Sequence, residues 1–288
     1  MLRTALWTAL ALIAFSANSL LCRLALSRGS IDPASFTTVR LASGALTLAI
    51  LARAVARPPR RLDVSWASAA MLFLYAAPFS FAYSRLTAGT GALLVFGAVQ
   101  VTMILGSLRA GDRPNVTQWL GLLIAFGGLV YLVLPGLTAP HPVGAALMLV
   151  AGLAWGLYSL RGRSARDPLA QTASNFARTV PMTLALSVAS YRGLHVESTG
   201  LALAALSGAV ASGVGYVIWY HAVPGLPGIA ASIVQLPVPV LTTAGGVLLL
   251  HERITLRLGL AALLVLGGVA VTLLARSRGL TRERLSSG

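Results

Sequence analysis

Apolar runs of about 20 residues follow one another from end to end of the chain, each stopped by a short cluster of polar, proline or glycine residues. A run of that length crosses the hydrocarbon of a bilayer as an α-helix. The pattern predicts ten spans, at approximately 4–27, 33–52, 66–86, 89–108, 116–135, 142–161, 168–191, 200–221, 227–250 and 256–275. The breakers between them include Asp32-Pro33, Arg57-Pro58-Pro59-Arg60, Asp112-Arg113-Pro114-Asn115, Pro140-His141-Pro142 and Asp167-Pro168. The short alternating segments of a membrane barrel are absent, and no connection is long enough for a second domain. The expected fold class is an all-α polytopic membrane protein.

The spans fall into two copies. Shifting the chain by 140 positions lays Asp112-Arg113 on Glu252-Arg253 and Leu120 through Leu132 on Leu260 through Thr272, with Gly127-Gly128 on Gly267-Gly268. The same shift lays Phe15-Ser16 on Trp155-Gly156 and Arg23 on Arg163, and a shift of 135 pairs the two Asp-Pro steps. Spans one to five then repeat as spans six to ten. Five is odd, so the second copy is expected to cross in the opposite sense, the inverted arrangement of many secondary transporters. The expected division is a first five-helix repeat at 1–138, a second at 139–276 and a basic cytoplasmic tail at 277–288.

Inside the ninth run stands Gln235-Leu236-Pro237-Val238-Pro239. Prolines within a helix remove amide donors and free carbonyls. In hydrocarbon such backbone is tolerated only against protein or a wet cavity. Pro237 and Pro239 are therefore candidate gating or hinge positions, against the alternative of a plain structural kink.

Composition agrees with the pattern: 57% of residues are hydrophobic and 10% charged, with mean hydropathy +0.82. A soluble domain carries about 25% charged residues. The net charge of +15 suggests nucleic acid, but its placement argues otherwise. All 22 basic residues are arginine, and most sit in short loops, where they set topology. With the N-terminus in the cytoplasm, 14 arginines fall in inner segments and 5 in outer loops, leaving Arg23, Arg40 and Arg178 within spans. Both termini are then cytoplasmic. Met1-Leu2-Arg3 and the run after it resemble a signal peptide, yet the run continues to about Leu26 and reads as a retained first helix.

Little here suits catalysis. The seven acids, Asp32, Asp63, Asp112, Asp167, Glu197, Glu252 and Glu283, all fall in loops or the tail. That argues against an intramembrane carboxylate relay. The four histidines lie near span ends without ligand spacing, and the single Cys22 excludes an intramolecular disulfide or cysteine metal site. No cofactor or metal is expected, and no enzyme.

Aromatic residues and amides are more informative. Tyr75, Phe79 and Tyr83 follow at i+4 and share a helix face. A shift of 137 sets Phe79 and Tyr83 over Tyr216 and Tyr220, and Trp155 and Tyr158 share a face of the sixth span. Tyrosines near span ends also serve as interfacial belts, which remains open for Tyr83 or Tyr220. Asn18, Gln100, Asn175 and Gln235 interrupt apolar spans and either bond helix to helix or line a cavity. Aromatic walls with a few amides and hydroxyls suit a small amphipathic solute.

Phe15-Ser16-Ala17-Asn18 with Trp155-Gly156, Pro239 thirteen residues before Glu252-Arg253, and the glycines of spans five and ten resemble the EamA-type branch of the drug/metabolite transporter superfamily. Within it the pattern is most similar to the YddG-type amino acid exporters. The resemblance implies ten transmembrane helices in two inverted halves around a central cavity lined by spans one, three, four, six, eight and nine. It depends on the span count and the doubling rather than on one motif. Asp112 stands where the family usually has Glu, and Val99 where the second copy has Pro239.

Joined to that resemblance, the candidate substrate-binding residues are Asn18, Tyr75, Phe79, Tyr83, Gln100, Trp155, Tyr158, Tyr216, Tyr220 and Gln235. A central arginine costs roughly 2.5–3.5 kcal/mol to insert, so Arg40 and Arg178 need helix carbonyls, cavity water or a bound anion. A substrate carboxylate would fit, but the family makes spans two and seven peripheral, so structural pairing is weighed above substrate contact for both, with Arg40 reaching outward. The expected function is export of amino acids or related small metabolites by alternating access in a bacterial-type inner membrane, with drugs or quaternary amines as the alternative cargo. The expected partners are the small solute and membrane lipid, not nucleic acid.

Overall fold

The computed structural model describes residues 2–55, 65–109, 115–136, 138–162, 167–222 and 235–286. In order, the helices are α1 (Leu2–Ser27), α2 (Pro33–Ala54), α3 (Trp66–Tyr83), α4 (Ala88–Arg109), α5 (Val116–Val133), α6 (Pro142–Gly162) and α7 (Pro168–Ala189). There follow α8 (Ser198–Leu206), a π-helical segment (Ser207–Val214), α9 (Gly215–Ala222), α10 (Pro237–Leu250) and α11 (Leu256–Ser286). Among the described residues the one strand-like feature is an isolated bridge between Ile31 and Val196.

Seven helices among the described residues are long and apolar enough to cross a membrane, the seventh being the continuous rod from Ser198 to Trp219. Pro237–Leu250 and Leu256–Thr272 are shorter apolar helices. The seventh expected span, α7, is long enough but carries Gln171, Asn175 and Arg178. The helix α11 continues into the expected tail, to Ser286. Leu, Arg and Glu are good helix formers, and no proline intervenes to stop it.

Local chemistry fixes where helices start. Asp32 accepts from the amides of Ala34 and Ser35, with Pro33 in the first turn, where its missing donor costs nothing. Asp167 and Pro168 repeat the device on α7. Asn115 and Gln118 form a reciprocal capping box on α5, and Thr255, 140 positions on, accepts from Leu258 N at the start of α11.

Several buried hydroxyls bond back to their own helices, as Thr37 does to Pro33 O and Thr179 to Phe176 O. Large apolar side chains such as Leu123, Leu153, Leu248 and Leu263 cover the outside. An apolar exterior of that kind suits lipid.

Two helix pairs organise the packing. Contacts that advance along α5 from Gln118 to Gly128 retreat along α11 from Thr272 to Leu264, so these helices run antiparallel. Gly128 meets Val265 as Gly268 meets Ala125, each residue of one contact standing 140 positions from its counterpart in the other. A Cβ on Gly268 would come 2.5 Å from Gly121 O, so glycine is what lets the backbones approach. On α2 and α7, Thr38 donates to Thr183 O while Gly44, further along α2, faces Phe176, earlier on α7. That pair is antiparallel as well. Between the pairs, α6 lies against α3 and α4, and α1 lies against α9 and α10.

Candidate functional site

A chain of polar contacts crosses the centre of the bundle. Ser207 donates to Asn18 Oδ1 at 2.7 Å, and Asn18 Nδ2 donates to the Tyr75 hydroxyl at 3.3 Å. Arg40 Nη2 donates to the same hydroxyl at 3.1 Å, and Arg40 Nε to Ser212 Oγ at 3.5 Å. The π segment makes this possible. Its ladder closes over five residues rather than four, which brings Ser207 and Ser212, five apart, toward one face. Gly208 lets the segment lie against the backbone of α2, because a Cβ there would come 2.1 Å from Arg40 O.

Beside the chain stands an aromatic wall. Trp155 has its ring centroid 4.8 Å from Tyr75, 5.4 Å from Tyr158 and 5.5 Å from Tyr216. Phe79 lies 5.3 Å from Tyr75, and Phe15 meets Tyr216 edge-on at 6.2 Å. Such tilted and edge contacts are the favoured geometries of aromatic pairs.

Together these groups enclose a cavity with about 490 Å³ of space free of protein atoms, part of it open to the outside. Its lining comes from α1, α2, α3, α4, α6, the π segment and α9, with Gln235 just before α10. A second space of about 210 Å³ shares Phe96 and Gln235 with it and adds Gln100 and Pro239.

Of the residues singled out from sequence, Asn18, Tyr75, Phe79, Trp155, Tyr216 and Gln235 line the main cavity, and Gln100 the second. Tyr83 does not line either space. Its hydroxyl donates to Ala88 O at 3.4 Å, and its ring stands 4.7 Å from Phe79 in the core. Tyr158 stands behind Trp155 and accepts from Asn175 Nδ2 at 3.2 Å. The side chain of Tyr220 lies outside the described residues. Pro237 and Pro239 occupy the first turn of α10, where the lost amides cost little, and the residues before Gln235 lie outside the description.

Arg40 departs from its expected place. It is 3% exposed and turned inward to the cavity rather than outward. Its guanidinium carbon lies 5.2 Å from the Tyr75 ring centroid and 5.0 Å from that of Phe79. Arg178 does pair structurally, with Ser174 on its own helix and over Trp66. Glu252 also turns inward from its loop, an arrangement the linear sequence does not announce except through the register that aligns it with Asp112.

The chain is 52% identical over 281 residues to an uncharacterized protein of Pseudomonas aeruginosa, covering 98% of both chains. It is 25% identical to an uncharacterized transporter, YoaV, of Bacillus subtilis over 66% of this chain and 68% of that one. A third relative, an uncharacterized transporter of Archaeoglobus fulgidus, is also 25% identical, over 66% of this chain and 70% of its own. A solved crystal structure superposes with a TM-score of 0.65 over 92% of this chain and 98% of that one, at 20% identity, which speaks to fold alone. The profile of the EamA-like transporter family matches twice, at residues 2–134 and 142–274. With both matches covering nearly all of its length, this chain is a member of the EamA-like transporter family.

Proposed function

We propose that this membrane protein is a secondary transporter for amino acids or closely related small metabolites. Its ten helices form two inverted five-helix halves, divided near residue 138, and the halves rock to open the central cavity to each side in turn. The observation that carries the reading is the cavity itself, walled by aromatic rings and amides from helices of both family-matched regions. Further support comes from the antiparallel packing of α2 with α7 and of α5 with α11. Related helices that run in opposite senses are what an inverted repeat requires. Arginine placement favours a bacterial-type inner membrane with both termini cytoplasmic. A buried arginine in the lining disfavours the alternative of cationic drugs or quaternary amines.

The test is flux of the proteinogenic amino acids into vesicles holding the purified protein, with and without a pH gradient. Transport of at least one amino acid is expected, reduced in Tyr75→Ala and in Gln235→Ala without loss of folded yield. Folded protein that moves none of them sinks the proposal.

A further inference from the structure

We propose that Arg40 is the substrate-anion site of the cavity, so that the cargo is a monocarboxylate with an aromatic or apolar body. This rests on the transport reading above and narrows its substrate class. The guanidinium is almost fully buried, and among the described residues its Nη1 has no hydrogen-bond partner, while Nε and Nη2 are engaged by Ser212 and Tyr75. A desolvated cation with an unsatisfied N–H group is costly unless something pairs with it.

The acids described in full are occupied elsewhere. Asp32 and Asp167 cap helices, Glu197 meets His195, and Glu252 meets Arg23. Among the described residues no carboxylate lines the cavity. The rings of Tyr75 and Phe79 offset part of the charge, but neither reaches Nη1 with an acceptor.

A second donor stands beside the first. The Tyr75 hydroxyl already accepts from Asn18 and from Arg40. A phenol has two acceptor positions and one proton, so that proton is left to donate. The Arg40 guanidinium, which lines the cavity, and the Tyr75 O–H beside it therefore offer one negative charge a charge-assisted pair of bonds. One guanidinium matches a carboxylate better than a phosphate dianion. With no acid among the described lining residues to receive an ammonium, the amino group of an amino acid adds little to affinity, and the body of the solute lies against Trp155 and Tyr216.

The experiment is calorimetric titration of the purified full-length protein with 3-phenylpropanoate, 3-phenylpropanamide, 3-phenylpropylamine and phenylalanine. The first and last are expected to bind within about threefold of each other, and the amide and the amine at least tenfold more weakly. Arg40→Gln is expected to erase the difference between propanoate and amide, and Arg40→Lys to keep part of it. Should Arg40→Gln fail to fold, Tyr75→Phe keeps the ring and removes one donor. It is expected to weaken propanoate several-fold and the amide less.

Equal binding of propanoate and amide by the parent protein overturns the proposal. So does tighter binding of the amine, a preference that survives Arg40→Gln, an unchanged Tyr75→Phe, or no binding of propanoate at all. Binding is read without flux, so the two readings fail separately. Carboxylate preference in a protein that moves no solute removes the transport reading and leaves the anion site. Amino acid flux without that preference removes the anion site alone.

Discussion

Arg23 Nε lies 2.9 Å from Glu252 Oε1, an ion pair that joins α1 to the turn between α10 and α11. The two side chains are only 19% and 12% exposed. Glu252 Oε2 also accepts from Ala88 N at 2.7 Å, at the start of α4, where the helix dipole favours an anion. Arg23 Nη1 donates to Tyr83 O at 2.9 Å. This one ion pair thus ties α1 and the facing ends of α3 and α4 to the turn between α10 and α11.

Glu252→Gln is expected to lower stability by about 1–3 kcal/mol, because it leaves the Arg23 charge and the Ala88 amide underpaired. Arg23→Gln is expected to cost a similar amount, and the double variant less than the two combined. Thermal unfolding in detergent measures all three, and simple additivity would show the pair to be uncoupled.

Trp155 is expected to tolerate Phe and not Ala. It touches three other rings, and each aromatic pair contributes about 0.5–1.5 kcal/mol beyond the area it buries. Since about 1.4 kcal/mol is a factor of ten, Trp155→Ala is expected to lower solute affinity by tenfold or more, with Trp155→Phe near the parent. Affinity from calorimetry decides, and indifference to Ala would remove Trp155 from the binding wall.

Tyr83 and Tyr75 are expected to behave differently although they share a helix. Tyr83→Phe loses one bond to Ala88 O, worth about 0.5–1.5 kcal/mol of stability, and leaves transport at the parent rate. Tyr83→Ala opens a core cavity and costs about 3–5 kcal/mol. Unfolding scans paired with flux check both, and a transport defect in Tyr83→Phe at normal stability would put Tyr83 back on the solute path.

The α5–α11 contact gives a prediction about glycines. Gly268→Val is expected to destabilise by more than the roughly 1–3 kcal/mol of ordinary overpacking, since the new side chain meets backbone atoms of Ala125 and Gly121. Gly267→Ala and Gly127→Ala meet nothing within 4 Å and are expected to be neutral or slightly stabilising. Yield of monodisperse protein and melting temperature read out the contrast.

The helices, their Asp-Pro starts and most of the cavity wall were legible from residue order, because span length, caps and i+4 aromatics depend on local rules. The direction in which each helix faces was not. Lipid and core are both apolar, so hydrophobic periodicity alone does not show which face of a span turns inward; on α2 only Thr37, Arg40, Ser43 and Thr47, clustered on one side, hint at it. Tyr83 shares the face of Tyr75 only in part, because successive i+4 positions drift by about 40° around an α-helix. Two such steps from Tyr75 carry the ring off the cavity face and into the core. The π segment had no signature beyond small residues, Ser207-Gly208-Ala209 and Ser212-Gly213.

That segment has a mechanical meaning. A turn wound over five residues holds one residue of slack. Drawing the slack in would advance the chain beyond Val214 by about 1.5 Å and swivel it by about 100°. Ser212 would then leave Arg40 at the same moment that Tyr216 slid along Trp155. The clasp on the charge and the wall against the body of the solute hang from one spare residue, so a single rewinding would loosen both.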